Sequence, residues 1–98
     1  MFKFSFKPGL EEAQELLKDI TYFINMIADT ERSKKEYTEK SNYYNEKLKS
    51  CKVGSSDYTA YGKLCCEYDE KVIDCCFEIE HMERQLKKLS KKLSKIVY

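Results

Sequence analysis

Residues 61–96, YGKLCCEYDEKVIDCCFEIEHMERQLKKLSKKLSKI, carry the pattern that decides the fold. Apolar side chains recur there at alternating steps of four and three residues, which is the seam of a coiled coil over about five heptads. The seam consists of Tyr61, Cys65, Tyr68, Val72, Cys75, Ile79, Met82, Leu86, Leu89, Leu93 and Ile96. It predicts one long amphipathic helix that packs along a second helix.

The sequence KVGSS at residues 52–56 predicts the turn that leads into this helix. Gly54 offers a positive φ, and Ser55, Ser56 or Asp57 is suited to cap the following helix. The turn divides residues 10–97 almost in half. Two equal arms joined by a short loop predict an antiparallel coiled-coil hairpin, in which residues 29–36 lie opposite residues 72–80.

The first arm has a weaker pattern. In residues 10–28, the predicted seam is Leu10, Ala13, Leu17, Ile20, Ile24 and Ile27. Residues 29–36, DTERSKKE, contain no apolar side chain, and Ser33 and Glu36 have the spacing of a capping box. Either the arm breaks near residue 30, which gives three helices in all, or a single helix continues through a polar waist.

The N-terminal sequence FKFSFK, residues 2–7, alternates apolar and polar side chains, as a short strand does. It predicts a short extended arm at residues 1–9, followed by a helical hairpin domain at residues 10–98. The rings of Phe2, Phe4 and Phe6 either pack on the helices or bind a partner, for example by adding a strand to its sheet. A disordered arm is the third interpretation. The predicted fold class is all-α.

Two cysteine pairs lie in CCEYDEKVIDCC, residues 65–76. Cys65 and Cys75 are about 15 Å apart along a helix, whereas a disulfide needs Cα atoms within about 7 Å. Their spacing is not that of zinc ligands, and the only histidine, His81, points away from Cys76. The pattern predicts no metal and no cofactor. The cysteines are interpreted as reduced thiols that pack as small hydrophobic side chains.

The same stretch is apolar on a second face. Cys66, Ile73 and Phe77 lie within about 40° of each other on a helical wheel and about 150° from the seam, and Cys76 flanks the seam. A hairpin partner covers only one of these faces. Cys66, Ile73, Cys76 and Phe77 are therefore predicted to form a protein interface. The alternative is that the N-terminal arm or a folded-back first helix covers them.

Residues 84–98 are basic and contain no acid. They provide candidate contacts for nucleic acid or another anion: Arg84, Lys87, Lys88, Lys91, Lys92 and Lys95. Acidic residues within 10–31 offer a match inside the hairpin instead. The formal net charge of the whole chain is only +1, so the bulk charge does not favour nucleic acid.

No nucleotide-binding or hydrolase motif occurs in the chain. No apolar run approaches the roughly 20 residues of a membrane span, and a signal peptide is not evident, so a cytoplasmic location is expected. The prediction is a protein–protein interaction module that is not an enzyme and has no small-molecule substrate. It acts either as a homodimer joined into a helical bundle, or as a small adaptor or inhibitor of a larger protein, as compact proteins of viruses and mobile elements often do. The alternative is a nucleic-acid-binding accessory protein.

Overall fold

Two long helices packed antiparallel make up the fold. The computed structural model describes the backbone of residues 2–97 and the side chains of residues 9–96. Helix α1 spans Phe2–Lys49 and helix α2 spans Ser56–Val97. Residues 2–97 contain no β-strand. The predictions of an all-α class and of a helical hairpin are confirmed.

The turn between the helices follows the chemistry predicted for it. The backbone N–H of Ser55 donates to the carbonyl of Lys52 at 3.1 Å, and Gly54 between them has φ 89°. The Ser55 hydroxyl accepts a hydrogen bond from the N–H of Tyr58 at 3.1 Å. Ser55 is therefore the N-cap of α2, because it satisfies one of the N–H groups that the first turn leaves unpaired.

The chain forms two compact units, and the first joins Met1–Ala28 with Glu80–Tyr98. Within it, the seam of α2 is buried at Met82 and half-buried at its later leucines and at Ile96. On α1, Leu16 is buried in this unit, and Ala13, Ile20, Phe23 and Ile27 are half-buried. A Cβ atom added at Gly9 would lie 3.6 Å from Cγ2 of Ile96, so the Ile96 side chain packs near the Gly9 backbone.

The second unit, Asp29–Ile79, has an aromatic and polar core. The Tyr44 ring stacks on Tyr68 and Tyr61, with centroids 5.7 and 6.0 Å away. The buried Ser41 donates its hydroxyl to the Asp69 carboxylate at 2.5 Å. Because hydrogen bonds and ring stacks are directional, these contacts fix how the two helices align.

The register predicted for the start of α1 is wrong at three positions. Leu10, Leu17 and Ile24 are 60%, 49% and 51% exposed, while Leu16 and Phe23 occupy the packed face instead. Ala13, Ile20 and Ile27 are half-buried, as the predicted seam requires. The inward face is therefore rotated by about 50° from the predicted one, which is half of the 100° between neighbouring residues.

The break near residue 30 and the extended N-terminal arm are not confirmed. Helix α1 continues through residues 29–36, which contain neither glycine nor proline, and Arg32 pairs with Asp29 at 3.5 Å one turn away. Helix α1 begins at Phe2, where a helix pairs backbone groups that a lone strand would leave unpaired. The side chains of Phe2, Phe4 and Phe6 lie outside the described residues.

Two glycines provide opposite tests of this backbone. A Cβ atom at Gly62, inside α2, would meet no heavy atom within 4 Å, so Gly62→Ala should raise the free energy of unfolding by about 1 kcal/mol. Gly54→Ala should lower it by about 1–2 kcal/mol, since φ there is positive. Urea denaturation followed by circular dichroism measures both changes. A loss of stability in Gly62→Ala would contradict the helical environment described for Gly62.

Candidate protein interface

The polar waist of α1 lies opposite the middle of α2 within the second unit, as the length of the two arms predicted. Asp29, Thr30, Ser33 and Tyr37 line one side of a cavity of about 290 Å³. Lys71, Asp74, Cys75 and Glu78 line the other side. The waist side chains are mostly polar, and they leave this space between the helices unfilled.

The middle of α2 is apolar on two faces. Cys75 and Ile79 are 6% and 8% exposed and pack in the hairpin. Ile73 and Phe77, however, are 53% and 64% exposed. Cys66 is exposed with them and Cys76 is half-buried. These four residues, Cys66, Ile73, Cys76 and Phe77, are called the α2 patch.

The surroundings of the α2 patch are mainly acidic. Residues 63–78 contain five acids and two lysines, a formal charge of −3. Glu67, Glu70 and Asp74 are exposed and lie within about 120° of Cys66, Ile73 and Phe77 on the helical wheel. Lys63 is the basic residue on the same side, whereas the ammonium of Lys71 sits 5.4 Å from the ring of Tyr37. The α2 patch is therefore an apolar surface with a negative border.

All five cysteines are free, and they differ in exposure. Burial raises the pKa of the Cys75 thiol above its ordinary value of 9.0, and the nearby Glu78 carboxylate adds to this effect. Burial and then Asp69 likewise raise the pKa of Cys65. Folding therefore favours the protonated form of both thiols. Their contribution to the free energy of unfolding is fully present below the unfolded-state pKa of about 9.0, and it is lost as the pH rises through the folded-state pKa values.

The basic residues at the end of α2 all point to solvent. Arg84, Lys87, Lys88, Lys91, Lys92 and Lys95 are exposed. Arg84 pairs with Glu80 on its own helix at 3.8 Å. Among residues 9–96, the ion pairs within 4 Å all join side chains of one helix, so the acidic match inside the hairpin does not take the form of close ion pairs.

A second exposed apolar surface lies on α1, and the sequence pattern did not predict it. Leu10, Leu17 and Ile24 follow one another at seven-residue spacing, so they form one stripe within about 40° on the wheel. An open groove of about 490 Å³ lies beside Leu17, lined also by Gln14, Lys18 and Thr21. These three aliphatic residues, Leu10, Leu17 and Ile24, are called the α1 stripe. The adjacent apolar pairs Leu16–Leu17 and Phe23–Ile24 are the signal that marks it.

Comparison with known proteins gives no relative. No protein-family model, curated protein or solved structure matches this chain. Among the described residues, no three histidine, cysteine, aspartate or glutamate side chains form a group that could hold a metal ion. In the same part of the chain, no helix is long and apolar enough to cross a membrane.

Thiol labelling tests the burial of the cysteines. Cys66 is exposed and should react first with iodoacetamide, and Cys75 should react last because it is buried and its pKa is raised. Mass spectrometry of peptides taken during the reaction measures the order. In denaturant the five rates should become similar. A native Cys75 that reacts as fast as Cys66 would show that the α2 seam is not packed at that position.

Proposed function

We propose that this protein acts without catalysis, by binding a larger protein through the α2 patch. The observation that carries the proposal is the exposure of Ile73 and Phe77, 53% and 64%, beside a packed seam on the same helix. Aromatic and aliphatic side chains left in water together are characteristic of interaction surfaces. Removing a phenylalanine and an isoleucine side chain from water contributes about 1.5–3 kcal/mol for each residue.

The border of the α2 patch determines the kind of partner. Glu67, Glu70 and Asp74 lie on one side of the patch, so they would meet one flank of any helix that lies on Ile73 and Phe77. A basic amphipathic helix places apolar side chains at heptad spacing and lysine or arginine on both flanks, so it matches this surface in shape and charge. The adaptor or inhibitor version of the function is thus the better supported one.

Self-association through the same patch is the competing version. Two copies joined there would bring two negative borders together, which opposes a close contact. Sedimentation velocity on Ile73→Glu and Phe77→Glu variants separates the versions, because a homodimer held by the patch would dissociate in both. Helicity should be retained, since both side chains are already more than half exposed.

A designed peptide tests the proposed binding. The probe has three heptads with leucine at the seam positions and lysine elsewhere, and its matched control has glutamate in place of every lysine. Calorimetry should show that the lysine peptide binds the full chain and the glutamate peptide does not. Phe77→Glu should weaken binding by roughly tenfold or more.

The control variant for this experiment is Val53→Glu. Val53 is 78% exposed in the turn, outside the α2 patch, so its replacement should leave the affinity unchanged. Equal binding of the two peptides would contradict the charge argument. If the lysine peptide binds Phe77→Glu as tightly as the wild-type chain, the α2 patch is not its binding site.

A nucleic-acid-binding role for the end of α2 is the second candidate, favoured by the exposure of all six basic side chains there. Binding to duplex DNA would then release counterions. The slope of log affinity against log salt concentration would be about −0.9 for each phosphate neutralised. Replacing Lys87, Lys91 and Lys95 by glutamine should lower the slope of log affinity against log salt by roughly 2.7. Replacing Lys35, Lys49 and Lys52 is the matched control. Equal slopes for the two triple variants would reject this role.

A further inference from the structure

One charged residue, Glu70, lies among the apolar residues of the α2 patch. The outer face of α2 carries a short second seam, with steps of four, three and four residues, as in a coiled coil. This second seam consists of Cys66, Glu70, Ile73 and Phe77. Glu70 lies within about 60° of the other three residues on the helical wheel. Glu67 and Asp74 lie about 60–120° from those three residues, so they border the second seam and do not belong to it.

Glu70 has no counterion on its own helix. Its side chain is exposed, and the residues three and four positions away, which could pair with it, are two apolar and two acidic ones. Among residues 9–96, the ion pairs within 4 Å do not include Glu70. A helix that covers the second seam would therefore take an unpaired carboxylate out of water. That is unfavourable unless the covering helix supplies the positive charge.

We infer that the partner helix carries a lysine or arginine at a core position opposite Glu70, and that Glu70 determines which helices bind. This inference rests on the proposed binding through the α2 patch and specifies the partner further. A single charged residue in the core of a coiled coil fixes the register and the choice of partner at some cost in affinity. The acids at the border, in contrast, meet the flank of the partner helix.

The spacing of the second seam defines the motif that the partner presents. Along the helix axis, Glu70 is about 6 Å from Cys66 and about 4.5 Å from Ile73. The base opposite Glu70 therefore has an apolar residue three or four positions before it and another three or four positions after it. Phe77 extends the apolar contact by one further turn on one side only. The whole seam is about 16 Å long, which corresponds to three turns of a partner helix.

Glu70 also disfavours a second copy of this chain as the partner. In a parallel pair of α2 helices, Glu70 would face Glu70 of the second copy. In an antiparallel pair centred on the second seam, the two copies of Glu70 would be about 4.5 Å apart along the axis. Both arrangements bring two carboxylates together in the contact, whereas a basic core residue neutralises the one that is present.

A charge-reversal cycle tests the role of Glu70. The two probes are the lysine peptide with its central seam leucine changed either to arginine or to glutamate. The wild-type chain should bind the arginine probe roughly tenfold more tightly than the glutamate probe, and Glu70→Arg should reverse this preference. Calorimetry on the full chain measures the four affinities. The lysines of both probes are the same, so the change in preference isolates the contact with residue 70.

Glu67→Arg is the matched control. It makes the same charge change three positions away, outside the second seam, and glutamate and arginine have similar helix propensities. This variant should keep the preference of the wild-type chain for the arginine probe. A preference that persists in Glu70→Arg, or that reverses equally in Glu67→Arg, would overturn the inference.

The lysine peptide separates a failure of this inference from a failure of the proposed function. If the lysine peptide binds and Phe77→Glu weakens its binding, the α2 patch is the binding site. The absence of a preference between the two probes would then overturn the role of Glu70 alone. If none of the three peptides binds the wild-type chain, the inference fails together with the proposed binding of a basic helix.

Discussion

A helix in a hairpin can pack only one stripe of its surface against its partner, and the remaining features of this protein follow from that constraint. On α2 the stripe extends without interruption from Tyr61 to Ile96, so the hairpin covers the seam and a few residues beside it, such as Leu64 and Cys76. Ile73 and Phe77 are exposed because they lie outside this stripe. On α1 the packed stripe includes Leu16 and Phe23, and the same limit leaves the neighbouring Leu17 and Ile24 in water.

The packed stripe of the second unit is held by directional contacts more than by apolar volume. From α1, the rings of Tyr37 and Tyr44 pack against the ring of Tyr68 on α2. The Ser41 hydroxyl of α1 donates a hydrogen bond to the Asp69 carboxylate of α2. Such groups must be paired where they are buried, so they specify the alignment of the helices at a cost in hydrophobic stabilisation. The cavity beside Cys75 has the same origin, since the small waist side chains do not fill it.

The sequence predicts α2 well and α1 less well, for a definite physical reason. The seam of α2 has one apolar residue at nearly every required position, so one face is clearly favoured. In α1, Leu16 and Leu17 are adjacent, and hydrophobicity alone does not decide which one packs. Residues further along α1 decide that Leu16 packs and Leu17 does not. The packed face of α1 can be followed back from the buried Ser41 in steps of three and four residues. It includes Tyr37, Thr30 and Phe23 and leads to Leu16. The waist contains no apolar residue, but it continues the packed face and is not a break.

The two exposed surfaces suit different partners because their borders differ. Glu67, Glu70 and Asp74 beside the α2 patch give any copy of the chain the same negative border, and like borders repel in a symmetric contact. The α1 stripe has one acid, Glu11, and one base, Lys18, at its border, so it has no single sign of charge. The two surfaces also lie on different helices and in different compact units. A partner that covered the α1 stripe alone would therefore leave Ile73 and Phe77 exposed for a second contact.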